Sequence, residues 1–171
     1  MVIALVGRPN VGKSTLFNRL IGQRKAVVSS TRGTTRDRLC ASLQWRGVPI
    51  NLMDMGGVDL ARTSGLDAAV QAHVQRALQE AEGFLFVCDA QEGLVPADEL
   101  ILERLRKTNK PIVLAANKAD HRLVVAPEFF ALGVTPACAV SAVHGRGTGE
   151  LLDALLERFN PSGAQGLPSQ D

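Results

Sequence analysis

The sequence predicts an α/β fold: a mostly parallel six-stranded sheet with one antiparallel edge strand and helices on both faces. Three observations carry this. Strand-like and helix-like segments alternate along the chain, as they do where crossover helices link parallel strands. Two runs, Phe84 to Cys88 and Pro111 to Ala116, are apolar without alternation, the pattern of strands covered on both faces. Segments 39–45 and 48–53 flank Arg46-Gly47, which reads as a hairpin turn and places one strand antiparallel at an edge.

Taken in order, Val2 to Val6 reads as a buried strand and 13–21 as the helix behind it. Residues 22–38 are rich in Ser, Thr, Gly and Arg and weakly patterned, a loop long enough to be functional. The hairpin's second strand ends at Asp54-Met55-Gly56-Gly57. A loop runs on to about Gly65. Leu66, Ala69, Val70, His73, Val74, Ala77 and Leu78 then share one face of a helix over 66–81, with His73 at the edge of the stripe. The strand 84–89 follows. Pro96 opens a helix reaching Lys107, with Leu100, Ile101, Leu102 and Leu105 as its apolar content. After the strand 111–116 come a short helix near 127–132, a strand near 136–140 and a helix over 147–159 that buries Leu151, Leu152, Leu155 and Leu156. Asn160-Pro161 stops it. Residues 1–160 thus read as one domain, and 161–171 as a linker or disordered tail.

Composition narrows the function. With 19 Lys and Arg against 17 Asp and Glu, the net charge of +2 is too small to imply nucleic-acid binding. The charge is uneven, however. Arg24, Lys25, Arg32, Arg36 and Arg38 face Asp37 alone, which reads as a solvated loop near a polyphosphate or as a basic surface for an anionic partner such as RNA. Aromatic residues are 4%, so the core is expected to be built mainly from Val, Leu, Ile and Ala. Cys40, Cys88 and Cys138 are odd in number and far apart, and the latter two read as small buried hydrophobes. No apolar run approaches the ~20 residues of a membrane span. The N-terminus enters a strand with no signal-peptide core, so a cytoplasmic location with no membrane partner is expected.

The chemistry gathers at one edge of the sheet. Gly7-Arg8-Pro9-Asn10-Val11-Gly12-Lys13-Ser14-Thr15 fits the phosphate-binding loop pattern and stands between strand and helix as that loop must. Its glycines let successive N–H groups point at an anion, and the helix N-terminus adds its dipole. Lys13 supplies charge for the β- and γ-phosphates, and the Ser14 hydroxyl can ligate Mg²⁺. Asp54 can hold the metal's hydration shell opposite Ser14, and the Gly57 N–H can meet a γ-phosphate. Asn117-Lys118-Ala119-Asp120 selects the base. Asp120 can accept from guanine N1–H and the 2-amino group, donors that adenine lacks. The Lys118 stem can lie over the base or the loop backbone, and Asn117 can tie this loop to the phosphate loop. Ser141-Ala142 with Val143 can close the pocket, the Ala142 N–H reaching guanine O6. All four motifs follow strand ends, where ligands of open α/β sheets bind.

Taken together, Ala4 to Thr15, FNRL at 17–20, GTTRDR at 33–38, DMGG at 54–57, NKAD at 117–120 and SAVHGRG at 141–147 carry a resemblance to the TrmE–Era–EngA group of P-loop GTPases. The chain most closely resembles the first GTPase domain of the EngA (Der) family over about residues 1–160. The resemblance implies the P-loop NTPase fold, GTP and GDP as ligands, and a switch domain whose hydrolysis serves maturation of the large ribosomal subunit. It implies switch loops at 24–38 and 54–65, with Thr35 as the Mg²⁺ and γ-phosphate sensor of the first and Thr34 as the alternative. It implies a monomer followed, in the full-length protein, by a second GTPase domain and a KH-like domain, through which ribosomal particles or rRNA would be met. One departure is Met55, where the family usually has Thr.

Val58 and Met55 complete the list of residues flanking the phosphates together with Gly56. Val58 stands where signalling GTPases place the water-orienting glutamine, and it cannot bond to water, so slow intrinsic hydrolysis is expected. The resemblance supports Asn10 as ligand of a K⁺ ion bridging the phosphates, which would take the electrostatic part of an arginine finger. Lys13, Asn10, Thr35 and Gly57 are therefore the expected catalytic set. A nucleotide-sensing module with negligible hydrolysis, and a kinase or ATPase on the same loop, stand as alternatives.

Overall fold

A computed structural model describes residues 1–22, 39–56, 59–62, 65 and 68–160. Thr34, Thr35, Gly57, Val58, Leu66, the basic stretch 24–38 and the tail 161–171 lie outside the described residues. The elements are β1 (Val2–Val6), α1 (Lys13–Gly22), β2 (Leu39–Trp45), β3 (Val48–Asp54), α2 (Ala68–Glu80), β4 (Gly83–Asp89), α3 (Pro96–Arg106), β5 (Ile112–Asn117), α4 (Pro127–Phe130), β6 (Ala137–Ala139) and α5 (Thr148–Phe159).

The strands form one six-stranded sheet in the order β2-β3-β1-β4-β5-β6. Only the β2–β3 pair is antiparallel; the other pairs are parallel. The turn between β2 and β3 places Arg46 at φ 47° and Gly47 at φ 80°. Two positive φ values in a two-residue loop are what the right-handed twist of a hairpin requires. Its tip is tied to α5: Asp153 accepts from Trp45 Nε1 at 2.7 Å and from Arg46 Nε and Nη2 at 2.7 and 2.8 Å.

Strand alternation divides the core into two layers. Ile3, Leu5, Leu85, Val87 and Val113 face Leu16, Phe17 and Leu20 of α1 and the leucines of α5. Ala4, Val6, Phe84, Phe86 and Leu114 face Val74, Ala77 and Leu78 of α2 and Ile101, Leu102 and Leu105 of α3. The expectation of an aliphatic core holds with one addition: Phe84, Phe86 and Phe129 are among the largest fully buried side chains. Cys88 is buried and Cys138 half-buried, and both are free thiols.

One expectation is corrected. The helical stripe was expected to bury Ala69 and Val70, but both are exposed, Val70 at 41%. Only the second half of α2, Val74, Ala77 and Leu78, lies over the sheet. Periodicity fixes which side of a helix faces inward, not how far the helix runs past the strands beneath it.

The register brings the strand ends to one edge. Leu5 pairs with Asp54 on one side and with Leu85 on the other, and Asp89 pairs with Asn117. Asp54, the loop after β1, Asp89 and Asn117 therefore stand together.

Candidate functional site

The loop after β1 is shaped by its backbone. Asn10 (φ 68°) and Gly12 (φ 93°) are both left-handed. At Gly12 a Cβ would lie 2.3 Å from Asn117 Nδ2, so only glycine allows the base loop to approach this closely. Val11 turns into the core, while Pro9, Asn10, Ser14 and Thr15 are exposed.

Lys13 opens α1 and folds back over the loop, donating to the Gly7 carbonyl at 2.8 Å and the Arg8 carbonyl at 2.6 Å. It is only 8% exposed. Burial lowers its pKa from the usual lysine value; Asp54 and Asp59 work against that lowering, and Arg8 adds to it. The Ser14 hydroxyl donates to Asp54 Oδ2 at 3.0 Å across from β3. The other oxygen, Asp54 Oδ1, is buried and accepts no hydrogen bond among the described residues. Met55 is buried beside it, and Gly56 is half-buried.

The second loop begins at Asn117, whose amide is spent on structure. Nδ2 donates to the Val11 carbonyl and Oδ1 accepts from the Ala142 N–H, each at 3.0 Å. The Ala142 N–H, expected to reach a guanine O6, thus also braces Asn117. Lys118, at φ 64°, donates from Nζ to the Asn10 carbonyl at 2.7 Å and to Asp89 Oδ2 at 2.6 Å. Ala119 is buried, its N–H on the Val140 carbonyl. Asp120 Oδ1 accepts from Ser141 Oγ at 2.5 Å and Oδ2 from Gln91 Nε2 at 3.2 Å. Arg19 of α1 donates from Nε to the Ala142 carbonyl at 2.8 Å and from Nη2 to that of Val143, which is exposed. Between α1 and this turn opens a cavity of about 370 Å³ lined by Thr15, Asn18, Arg19, Gly22 and Ala142.

A glycine-bounded loop with its lysine, a hydroxyl–carboxylate pair and an NKAD loop thus share one sheet edge. Residues 2–118 match the sequence profile of a family described as 50S ribosome-binding GTPase. The chain belongs to that GTPase family. Among curated relatives, it is 44% identical over 160 residues to the GTPase Der of Ligilactobacillus salivarius, covering 92% of this chain and 36% of that protein. It is 45% identical over 160 residues to the GTPase Der of Bifidobacterium longum, covering 92% and 34%. The resemblance to an EngA (Der) GTPase domain is borne out, and the chain spans about a third of the length of these relatives. Among solved structures, the G domain of the T. maritima FeoB iron transporter superposes with a TM-score of 0.72 at 27% identity, covering 92% of this chain and 98% of that one. The cytosolic domain of the same transporter in a GDP form gives 0.74 at 26% identity, covering 94% and 63%.

Against this GTPase frame, several residues at the site were invisible to motif reading. Arg8 was expected among the nucleotide contacts, but its guanidinium turns to α3, with Nε on Asp98 Oδ1 at 2.8 Å and Nη2 on Glu92 Oε2 at 3.1 Å. Asp98 is fully buried and also accepts from the Val95 N–H at the start of α3. Asp89 and Gln91 lie outside every motif, and Arg19 and Arg146, which donates to the Asp120 carbonyl at 2.9 Å, lie in segments that carry the resemblance but were given no role at the site. One signal was available for Asp89: it ends an apolar strand run, as Asp54 and Asn117 do.

Proposed function

We propose that this chain is the GTP-binding and GTP-hydrolysing switch domain, Mg²⁺-dependent and K⁺-stimulated, of a GTPase that assembles the large ribosomal subunit. The observation that carries the reading is the meeting of Ser14 Oγ with Asp54 at 3.0 Å beside Lys13, with Asp54 Oδ1 buried and unbonded among the described residues. Two hard oxygens, one of them on a carboxylate with unused acceptor capacity, are a donor set that suits Mg²⁺. Ser14 and Asp54 would hold the ion, with Thr35 as the proposed third ligand. When bound, it neutralises charge on the β- and γ-phosphates.

The protein's own groups divide the remaining work. Lys13 exchanges its two carbonyl partners for phosphate oxygens, and the N–H groups of residues 10–15 face the same charge. The Gly57 N–H meets the γ-phosphate. Asp120 accepts the guanine N1–H and 2-amino donors, while Ser141 and Gln91 hold its carboxylate in place. The left-handed Asn10 stands exposed at the crown of the loop, where its amide would ligate K⁺. The family description and the Der relatives support the ribosomal setting, with large-subunit particles or rRNA met through a longer parent chain. Among the described residues no helix is long and apolar enough to cross a membrane. A monomeric, cytoplasmic domain is part of the same proposal.

The test compares fluorescent GTP and ATP analogues for binding, then turnover of GTP in KCl and NaCl at equal ionic strength. Preferential GTP binding is expected. Without a partner, turnover on the order of 10⁻⁴–10⁻² s⁻¹ is expected, faster in K⁺, with the K⁺ effect lost in Asn10→Ala. Equal rates in the two salts, or a surviving K⁺ effect in Asn10→Ala, would remove the cation from the proposal. Val58 favours one second reading, a nucleotide-sensing module with negligible hydrolysis. Tight GTP binding with no turnover in KCl, even with ribosomal particles present, selects it.

A further inference from the structure

We infer that Asp89 is a positioning residue for guanine-nucleotide recognition: it fixes Lys118 against the phosphate loop and so makes base binding and phosphate binding depend on each other. The inference rests on the guanine-nucleotide reading above.

Asp89 ends β4 beside Asn117 in register, and the Ala90 N–H donates to the Asn117 carbonyl at 2.7 Å. Its side chain is 8% exposed, and its two oxygens do different things. Oδ1 accepts the Gln91 and Glu92 N–H groups at 2.8 and 3.0 Å, a local turn that locks the carboxylate plane. Oδ2 is left aimed at Lys118 Nζ, 2.6 Å away. Burial works to raise the Asp89 carboxyl, but Lys118 and the two amides outweigh it, so its pKa lies below the usual carboxylate value and the group is ionised at neutral pH.

The same ammonium donates to the Asn10 carbonyl at 2.7 Å. Lys118 is therefore a strut between the β4–α3 connection and the crown of the phosphate loop. A lysine stem is long and flexible, and one carbonyl acceptor alone does not fix it. Two acceptors on opposite sides do, and a fixed stem is what a purine can lie against. The connection reaches the base loop a second time, because the turn capped by Asp89 carries Gln91, whose amide donates to Asp120 Oδ2. It also reaches the phosphate loop a second time, through Glu92 and Asp98 on Arg8. Thus one segment, 89–98, grips both halves of the site, and Asp89 is the group in it that touches a guanine-loop residue by charge.

A merely structural Asp89 would need only Oδ1, to end the strand. Asp89→Asn separates the two roles, since its amide oxygen can keep the turn while the charge on Lys118 is lost. The experiment loads the full chain with mant-GDP and follows its dissociation on chase, in wild type, Asp89→Asn, Lys118→Met and the double variant. Wild-type protein should bind mant-GDP in preference to mant-ADP; failure there removes the guanine reading itself and the inference with it. Given wild-type binding, Asp89→Asn should release mant-GDP about tenfold faster, the factor expected for one charge-assisted hydrogen bond. It should raise KM for GTP with kcat within about twofold, because Asp89 touches no reacting atom. In the Lys118→Met background the Asp89 change should add less than about twofold. An unchanged rate in Asp89→Asn, or the same tenfold step with and without Lys118, overturns the inference while leaving the guanine reading intact. Should Asp89→Asn lose its cooperative unfolding transition, Asp89→Ser, whose hydroxyl can still cap the turn, reads the same link without the charge. Release at least about tenfold faster supports the link, and less than about twofold overturns it.

Discussion

Lys13 is held in its buried place at a cost. It is buried, and its pKa lies below the usual lysine value, with burial the largest cause. The sign follows from linkage: the unfolded chain binds this proton more tightly than the folded one. The penalty is therefore fully present below the folded pKa and is relieved as pH rises towards the unfolded value. A bound phosphate would remove it by supplying the missing counter-charge. Lys13→Met should accordingly leave the nucleotide-free unfolding free energy within about 1 kcal/mol of wild type. The same variant should lose the thermal shift given by saturating GDP, which at a hundred times Kd corresponds to about 2.7 kcal/mol. Thermal unfolding with and without GDP checks both halves, and a nucleotide-free loss above about 3 kcal/mol would show Lys13 to be a structural residue first. At this scale the sequence was legible wherever residue type and local spacing carry the chemistry, as in Gly12-Lys13-Ser14. Asp89 was not, because an aspartate at a strand end usually makes a turn. What distinguishes it is register opposite Asn117, which no local pattern contains.

The hairpin shows what elements add. Its strands and turn could be read from 39–53, because alternation and Arg46-Gly47 are local signals. Its attachment to α5 could not, since Asp153 lies more than a hundred residues away (|i−j| 107 to Arg46). The start of α2 was over-read for the same reason: burial depends on what lies beneath a helix. Asp153 takes a bidentate Arg46 and the Trp45 indole together, but Arg46 and Asp153 are 38% and 35% exposed, so solvent screens the ion pair. Asp153→Ala should cost about 1–1.5 kcal/mol, most of it from the indole bond. Denaturant unfolding should show a lower midpoint at unchanged slope. Trp45, the one tryptophan of the chain, should report the change by a red-shifted emission in the native baseline. The hairpin tip lies a seven-residue strand away from Asp54, roughly 20 Å, so mant-GDP affinity should stay within about twofold. A tenfold loss of affinity would mean that the hairpin transmits strain from α5 to the site.

At the scale of the molecule the question is whether the two-layer sheet closes on itself, given that the matched relatives are about three times longer. The described core suggests where closure happens. Leu151, Leu152, Leu155 and Leu156 of α5 complete the layer over Ile3, Leu5, Leu85 and Val113, and Phe159 packs against it. The Phe159 ring comes so near the start of β4 that a Cβ on Gly83 would lie 2.1 Å from it. Four buried leucines contribute roughly 6–12 kcal/mol, comparable with the whole stability of a domain. With α5 closing this layer and the domain boundary proposed at 160, a chain ending there should unfold cooperatively at the same temperature as the full chain, and bind mant-GDP with the same affinity. One ending at 147, without α5, should show no cooperative transition. Differential scanning calorimetry of the two truncations decides the matter. If the first loses several degrees, residues 161–171 contribute to the fold and the proposed domain boundary moves. If the second still melts cooperatively, the layer beneath α5 does not need its leucines, and the closure argued from them is wrong.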